Sequence, residues 1–328
     1  MAAIDVVVPN YNYGKYLRTC VESVLNQADV AIRVLIIDNA STDDSRDIAH
    51  SLAQDERVEL ILRESNAGTH ASFNEGIDWA QNDYFLLLFS DDFLVPGALK
   101  RATDIMEQNS AIAFCYGRDV AVHGDDPVPI MPGRTSPVAF RLHKSRAFIE
   151  SFCRRAVFQI PGSSVVVRTE VQKRAGHYRT TLPHSDDYEI WLRLAMLGPV
   201  AELDAVQVGL RTHDSNRSRE FAARQLEHIL HTAAAAESFF NHEGGSLEDC
   251  GALRRLARQG VVGRAYWSGI AHLLRGDMEA MRLLGFAIRS SPVSAVVPPV
   301  SYLMSRPDLA GRISSFFANS ARSRHIVF

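Results

Sequence analysis

Four short apolar runs, IDVVV at 4–8, VLIID at 34–38, VELILRE at 58–64 and YFLLLF at 84–89, alternate with stretches of helical spacing, and a polar cluster closes each one. Runs of this length rich in β-branched and aromatic residues predict buried strands. Between them, RTCVESVLNQ at 18–27 places Cys20, Val21, Val24 and Leu25 on one stripe, and further helices are predicted over 45–54 and 70–81. Strands joined through helices pair as a parallel sheet covered on both faces, so the chain is predicted to be α/β. Ligands of such sheets bind outside the carboxyl ends of the strands. The clusters NYNYG, DNASTDD, ESNAG and SDD all fall at that edge, although they are far apart in sequence.

From 112 to 215 the pattern mixes strands (AIAFCYG, SSVVVR, VQVGLRTH) with helices (HKSRAFIESFCRR, DDYEIWLRLAMLG), interrupted by a Pro/Gly-rich loop at 124–137. Beyond 220 it is wholly helical. Residues 265–292 read as helix, Gly-Asp turn, helix and proline stop, a single hairpin unit that must pack on the rest of the chain. The predicted organisation is therefore 1–218 as one α/β domain, divided into 1–111 and 112–218, followed by a helical extension at 219–328.

Charge divides in the same place. Residues 1–219 carry 29 acidic and 23 basic side chains, whereas 220–328 carry 9 and 12. After residue 250 there are eleven arginines against three acids. A basic end on an acidic body suits an anionic surface such as phospholipid, or is an arginine-rich solvated face. In DLAGRISSFFANSARSRH, helical spacing puts Leu309, Ile313, Phe316 and Phe317 on one side. That stripe suits an interfacial helix, docking on the α/β domain, or a dimer seam. The four cysteines are scattered without C-x-x-C pairing, which argues against a disulfide framework or a structural zinc site and for buried thiols in a reducing compartment. The N-terminus lacks the pattern of a signal peptide, and no run of about 18 apolar residues predicts a membrane span. The expected location is cytoplasmic, with peripheral contact at the inner face of the membrane through the C-terminal region.

Neither G-x-G-x-x-G after the first strand nor G-x-x-x-x-G-K-[ST] is present, which leaves dinucleotide and P-loop chemistry with little support. The strand-end chemistry is carboxylate and amide. Asp91 and Asp92 suit a hard divalent cation, Mg²⁺ or Mn²⁺, which takes one or two carboxylates and fills its remaining positions with water and diphosphate oxygens. By itself the pair equally starts a turn or caps the helix encoded by PGALKRATDIME.

VVVPNYNYGKYLRTCVESVLNQ, IIDNASTDDS, NAG, FSDDFLVPGAL, PGSSVVVRTEV, SDDYEIWLRL and LRTHDSNRS, in that order from about Ile4 to Ser218, resemble glycosyltransferase family 2, the inverting nucleotide-sugar enzymes of the Rossmann-like GT-A fold. The resemblance implies that Pro9, Asn10, Tyr11 and Asp38 line a nucleoside pocket, with Asp38 accepting the imide N–H of uracil or thymine. It implies Asp91 against the ribose and diphosphate, Asp92 as metal ligand, Asp187 as general base, and His213 at a place where related enzymes supply a metal or diphosphate ligand. As a residue alone, His213 equally closes a strand. Two departures stand out: Phe89 replaces the first acid of the D-x-D-D pattern, and Asn39 replaces a second Asp, a change compatible with base or ribose contacts.

The chemistry can be argued from the residues as well. An acceptor hydroxyl must lose its proton as it attacks the anomeric carbon, and the departing diphosphate must be stabilised. One carboxylate base with direct attack inverts the anomeric centre. In SDDYEIWLRL, Asp186 could cap the helix while Asp187 faces the cleft, and Ile190, Trp191 and Leu194 face the core. His184 and Asp186 are candidates for the acceptor side. The expected partners are a UDP- or dTDP-sugar donor and a glycan or lipid-linked acceptor for surface polysaccharide, with no nucleic acid. A nucleotidyltransferase on a related sheet, or an inactive nucleotide-sugar-binding scaffold, is the alternative.

Overall fold

The computed structural model describes residues 1–124, 126–129, 137–182, 184–213 and 224–305. The repeating units form as the periodicity predicts: β1 (Ala3–Asn10), α1 (Gly14–Leu25), β2 (Ala31–Asp38), α2 (Ser45–Leu52), β3 (Val58–Leu62), α3 (Thr69–Trp79) and β4 (Tyr84–Leu87). The second half supplies β5 (Phe93–Leu94), α4 (Ala98–Gln108), β6 (Phe114–His123), β7 (Phe140–His143), α5 (Ser145–Arg155), β8 (Val166–Arg168), α6 (Thr169–Ala175), α7 (Asp186–Leu197) and β9 (Val200–Thr212). The helical extension contains α8 (Gln225–Asn241), α9 (Cys250–Leu274), α10 (Glu279–Ser290) and α11 (Val300–Met304).

One sheet runs β3-β2-β1-β4-β8-β6-β9-β5, with β7 on β9. From the pairings, β1 to β4, β6 and β9 share one direction, while β5, β7 and β8 oppose it. The sheet is mostly parallel, as expected. Along β1, Ile4, Val6 and Val8 enter the core shared with α1, α2 and α4, whereas Val7 enters the core shared with α3, α5 and α7. Both faces are dry, which is why the strands read as continuous apolar runs rather than alternating ones. Gly76 of α3 lets that helix lie directly on β1, since a Cβ there would sit 2.6 Å from Val7.

Helix α1 begins at Gly14, four residues before the predicted start, because the Asp43 carboxylate of the next loop accepts its N–H at 3.0 Å. No signal within the segment itself could reveal a partner 29 positions away. Strands β5 and β7 were not predicted; each is short and is recruited by β9. Strand β9 also starts earlier than VQVGLRTH. The hairpin at 265–292 has the predicted turn, with Gly276 in the left-handed region at φ 73. The extension is not a separate body. Ala156 at the end of α5 packs with Ile229, Ala265 and Leu283 of α8, α9 and α10. At Gly260 the helix α9 approaches so closely that a Cβ would meet the Cys153 carbonyl at 2.2 Å. Among the cysteines, Cys20, Cys115 and Cys153 are buried free thiols, and Cys250 is half-buried. The amphipathic stretch at 308–325 lies outside the described residues, as does most of the loop at 124–137.

Candidate active site

The carboxyl ends of β1 and β2 are held by amide and carboxylate hydrogen bonds. Asp38 is fully buried. Its oxygens accept from Asn10 Nδ2 at 2.9 Å, Ser41 N at 3.0 Å and Ser41 Oγ at 2.5 Å. These bonds engage the Asp38 carboxylate inside the protein, next to the cavity wall that Asn10 and Asn39 form. Its neighbour Asn39 does line the cavity. The Asn39 Oδ1 accepts from Ala67 N at 2.9 Å and Arg63 Nη1 at 3.1 Å, which joins the third polar cluster to the second. Pro9, Asn10 and Tyr11 form the adjoining wall, with Asn12 at φ 58 bringing its Oδ1 to Thr42 N at 2.7 Å.

After β4, Leu88 N still donates to Val7 O at 2.9 Å, and the chain then turns. Asp91 and Asp92 both face the cavity, but they are held differently. Asp91 Oδ2 lies 3.2 Å from His213 Nε2. The His213 ring stands 5.3 Å from Tyr13 and 5.0 Å from Tyr16. Asp92 is more deeply buried; its Oδ2 accepts from Ser163 Oγ at 2.5 Å and its Oδ1 from Arg211 N at 3.1 Å. Burial, with the charge of Asp91 beside it, pushes the Asp92 carboxyl up to about 8. Burial also raises Asp91, while His213 and Arg211 oppose that rise. Two crowded, desolvated carboxylates are a donor set that a hard divalent cation relieves, since it supplies the opposite charge missing between them. Among the described residues, no three His, Cys, Asp or Glu side chains are preassembled as a metal cage. An ion such as Mg²⁺, which keeps waters and substrate phosphates in its shell, needs only one or two carboxylates from the protein.

The opposite wall is the first turn of α7. Asp186 and Asp187 both line the cavity of about 1090 Å³. Asp186 Oδ2 lies 3.1 Å from His70 Nε2. Asp187 lies over Gly162, where a Cβ would sit 3.6 Å from its Oδ2 and 3.2 Å from the Phe89 ring. Phe89, which stands where the family pattern has an acid, is therefore part of the floor between the two walls. Helix α7 is anchored beneath by Glu189, which is fully buried and ion-paired to Arg179 and Arg193. Trp191 packs with Phe158 and Tyr188 and belongs to the core.

Several residues at the site escaped the sequence reading. Ser163 was visible only as part of PGSSVVVR, and its bond to Asp92 depends on β8 lying beside β4. Gln225, His228 and Arg264 of the extension line the cavity unanticipated, beside the expected His184. A lone arginine in the apolar stretch VVGRAYW was the available signal for Arg264.

Residues 5–161 match a family model described as glycosyl transferase family 2. That span includes Asp91 and Asp92 and stops short of Asp187. An uncharacterized glycosyltransferase of Haemophilus influenzae is 36% identical over 122 residues, 35% of this chain and 49% of that protein. Chondroitin synthase of Escherichia coli is 26% identical over 220 residues, 66% of this chain and 30% of that protein. The chain spans less than half the length of either relative. Among solved structures, S. aureus TarS 1-349 in complex with UDP-GlcNAc superimposes with a TM-score of 0.62 at 18% identity, over 90% of this chain and 84% of that one. The mannosyltransferase PcManGT from Pyrobaculum calidifontis, in complex with GDP-Man and Mn²⁺, gives 0.50 at 15%, over 92% and 85%. The fold is that of the GT-A glycosyltransferases.

Proposed function

We propose that this chain, whose residues 5–161 belong to glycosyl transferase family 2, is an inverting glycosyltransferase of surface polysaccharide synthesis. It moves a sugar from a UDP- or dTDP-sugar to a hydroxyl of a glycan or lipid-linked acceptor. The observation that carries this reading is that Asp91 and Asp92 share one cavity with Asp187, which comes from the opposite wall. The nucleotide sugars held by TarS and PcManGT support a nucleoside-diphosphate donor. Pro9, Asn10, Tyr11 and Asn39 would line the nucleoside end. Asp91, Asp92 and His213 would hold Mg²⁺ or Mn²⁺, which when bound stabilises the charge of the departing diphosphate. Asp187 takes the acceptor proton as the hydroxyl attacks, and one base with direct displacement gives inversion. Phe89 and the buried floor exclude water from competing with the acceptor. A thermal-shift screen of UDP-, dTDP- and GDP-sugars with and without Mn²⁺ tests the reading. A cation-dependent shift for one nucleotide supports it, and no shift for any of them overturns it.

The same reading places the chain at the inner face of the membrane by peripheral contact. Among the described residues no helix is long and apolar enough to cross a membrane. Leu274, Met278, Met281, Val293 and Val296 are each more than 60% exposed, and Arg275, Arg282 and Arg289 are exposed on the same hairpin and its flank. Apolar side chains rimmed by arginine suit an anionic bilayer.

A further inference from the structure

Helix α8 brings two hydrogen-bonding side chains to the cavity, Gln225 and His228. Three positions apart, they lie on one face of the helix. Gln225 is half-buried, and among the described residues no hydrogen bond holds its amide, so its N–H donors and its carbonyl oxygen are open to a ligand. His228 is fixed: its Nδ1 accepts from Arg264 Nη2 at 2.7 Å, which leaves the ring proton on Nε2. Burial first, then the charges of Arg264 and His231, lower the His228 midpoint to about 4, so near neutral pH the ring offers an uncharged Nε2–H. Together the two side chains present donors and an acceptor without a charge of their own. That set complements hydroxyl groups, each of which donates and accepts.

The place of the pair relative to the base assigns the ligand. The His228 ring stands 6.3 Å from that of Tyr188, the residue after Asp187. In a direct displacement the attacking oxygen approaches the face of the sugar opposite the departing group. With Asp91 and Asp92 on the diphosphate side and Asp187 taking the acceptor proton, side chains that α8 sets beside the Asp187 turn belong to the acceptor. The cavity of about 1090 Å³ has room for a second sugar beside the donor, since ordinary small-molecule sites span roughly 300–1,000 Å³. We propose that Gln225 and His228 form the subsite for the acceptor sugar ring that carries the attacked hydroxyl, binding it through neighbouring uncharged hydroxyls of that ring. The inference rests on the glycosyltransferase reading for its assignment to the acceptor; a sugar subsite on α8 does not depend on it. It gives the helical extension a part in acceptor choice. A ring lacking a hydroxyl at these contacts leaves polar groups of the site unpaired, and that penalty is what discriminates between sugars.

The test is NMR of ring-labelled histidine in the full chain, with the His228 resonance assigned from His228→Gln. Without ligand, His228 should show the Nε2–H tautomer. The probes are methyl β-glucoside, methyl β-galactoside and methyl N-acetyl-β-glucosaminide, with glucuronate as the charged comparison and glycerol as a control that lacks a ring. At least one neutral glycoside is expected to shift the His228 Nε2 resonance with a saturating dose dependence, and glycerol is expected to leave it in place. Gln225→Ala should weaken that binding about three- to tenfold. Its melting temperature should match that of the native chain, because no protein group is bonded to the amide it removes. No saturable shift from any of the glycosides, a shift from glucuronate alone, an equal shift from glycerol, or unchanged affinity in Gln225→Ala overturns the proposal. UDP binding with Mn²⁺, measured in the same samples, separates the two readings. UDP bound without a glycoside response removes the subsite alone, whereas a glycoside response that Gln225→Ala weakens, without UDP binding, removes the transferase reading and leaves the sugar site.

Discussion

Ser163 Oγ donates to Asp92 Oδ2 at 2.5 Å, across 71 residues of sequence. This bond couples the two walls of the cavity, since Gly162, the preceding residue, lies under both Phe89 and Asp187. Ser163→Ala removes a donor from a buried carboxylate, and the loss is about 1–3 kcal/mol. Urea denaturation should show a lower midpoint with an unchanged slope.

Asp187→Asn keeps the shape of the α7 turn and removes the base. Transfer is expected to fall roughly 10²–10⁴-fold, while the nucleotide-induced thermal shift stays within error. Normal turnover by the variant would show that the base is elsewhere. In contrast, Asp91→Asn and Asp92→Asn should remove the Mn²⁺ dependence of nucleotide binding, read by calorimetry with and without chelator.

Glu189 pairs with two arginines beneath α7, and burial lowers Arg193 to about 10. Glu189→Gln leaves Arg193 buried without its counter-charge, a class of change that destabilises by about 3–5 kcal/mol. Because Glu189 lies two residues after Asp187, activity should fall ahead of global unfolding, which parallel activity and circular dichroism melts would reveal.

Acid should destabilise the joint between the extension and the α/β domain. His228 titrates near 4 when folded, through burial and the charge of Arg264, against about 6.5 when unfolded. Between those values the unfolded chain binds more protons than the folded one. The stability contribution of neutral His228 is therefore full above about pH 6.5 and is lost as pH falls toward 4. Melting temperature should drop across that window, and His228→Gln should flatten the dependence.

Anionic vesicles test the exposed hairpin. The full chain should co-sediment with liposomes containing phosphatidylglycerol and release in high salt. Met278→Glu with Val296→Glu should cut the bound fraction several-fold, as should ending the chain at residue 305. Equal partitioning of all three would remove the membrane reading.

The strand runs and the polar clusters that close them were legible because burial on both faces of a parallel sheet demands long apolar runs, and a strand end must return to solvent. That local logic located Asn10, Asn39, Asp91 and Asp92 at one edge, whereas Asp187 was reached through the family resemblance. Strands β5 and β7 were not legible, since two and four residues carry no period of their own and exist only because β9 pairs with them. What the amino-acid sequence determined by itself was the α/β alternation and which acids reach the sheet edge. The tertiary structure alone decided their surroundings: Asp38 turned inward to Ser41, Asp92 bound by Ser163, and Arg264 brought from the extension to the cavity wall. Periodicity is a property of neighbours along the chain, whereas burial, charge and hydrogen-bond partners are set by neighbours in space, and those lie 71 residues away for Asp92 and 108 for the Ala156 carbonyl that holds Arg264.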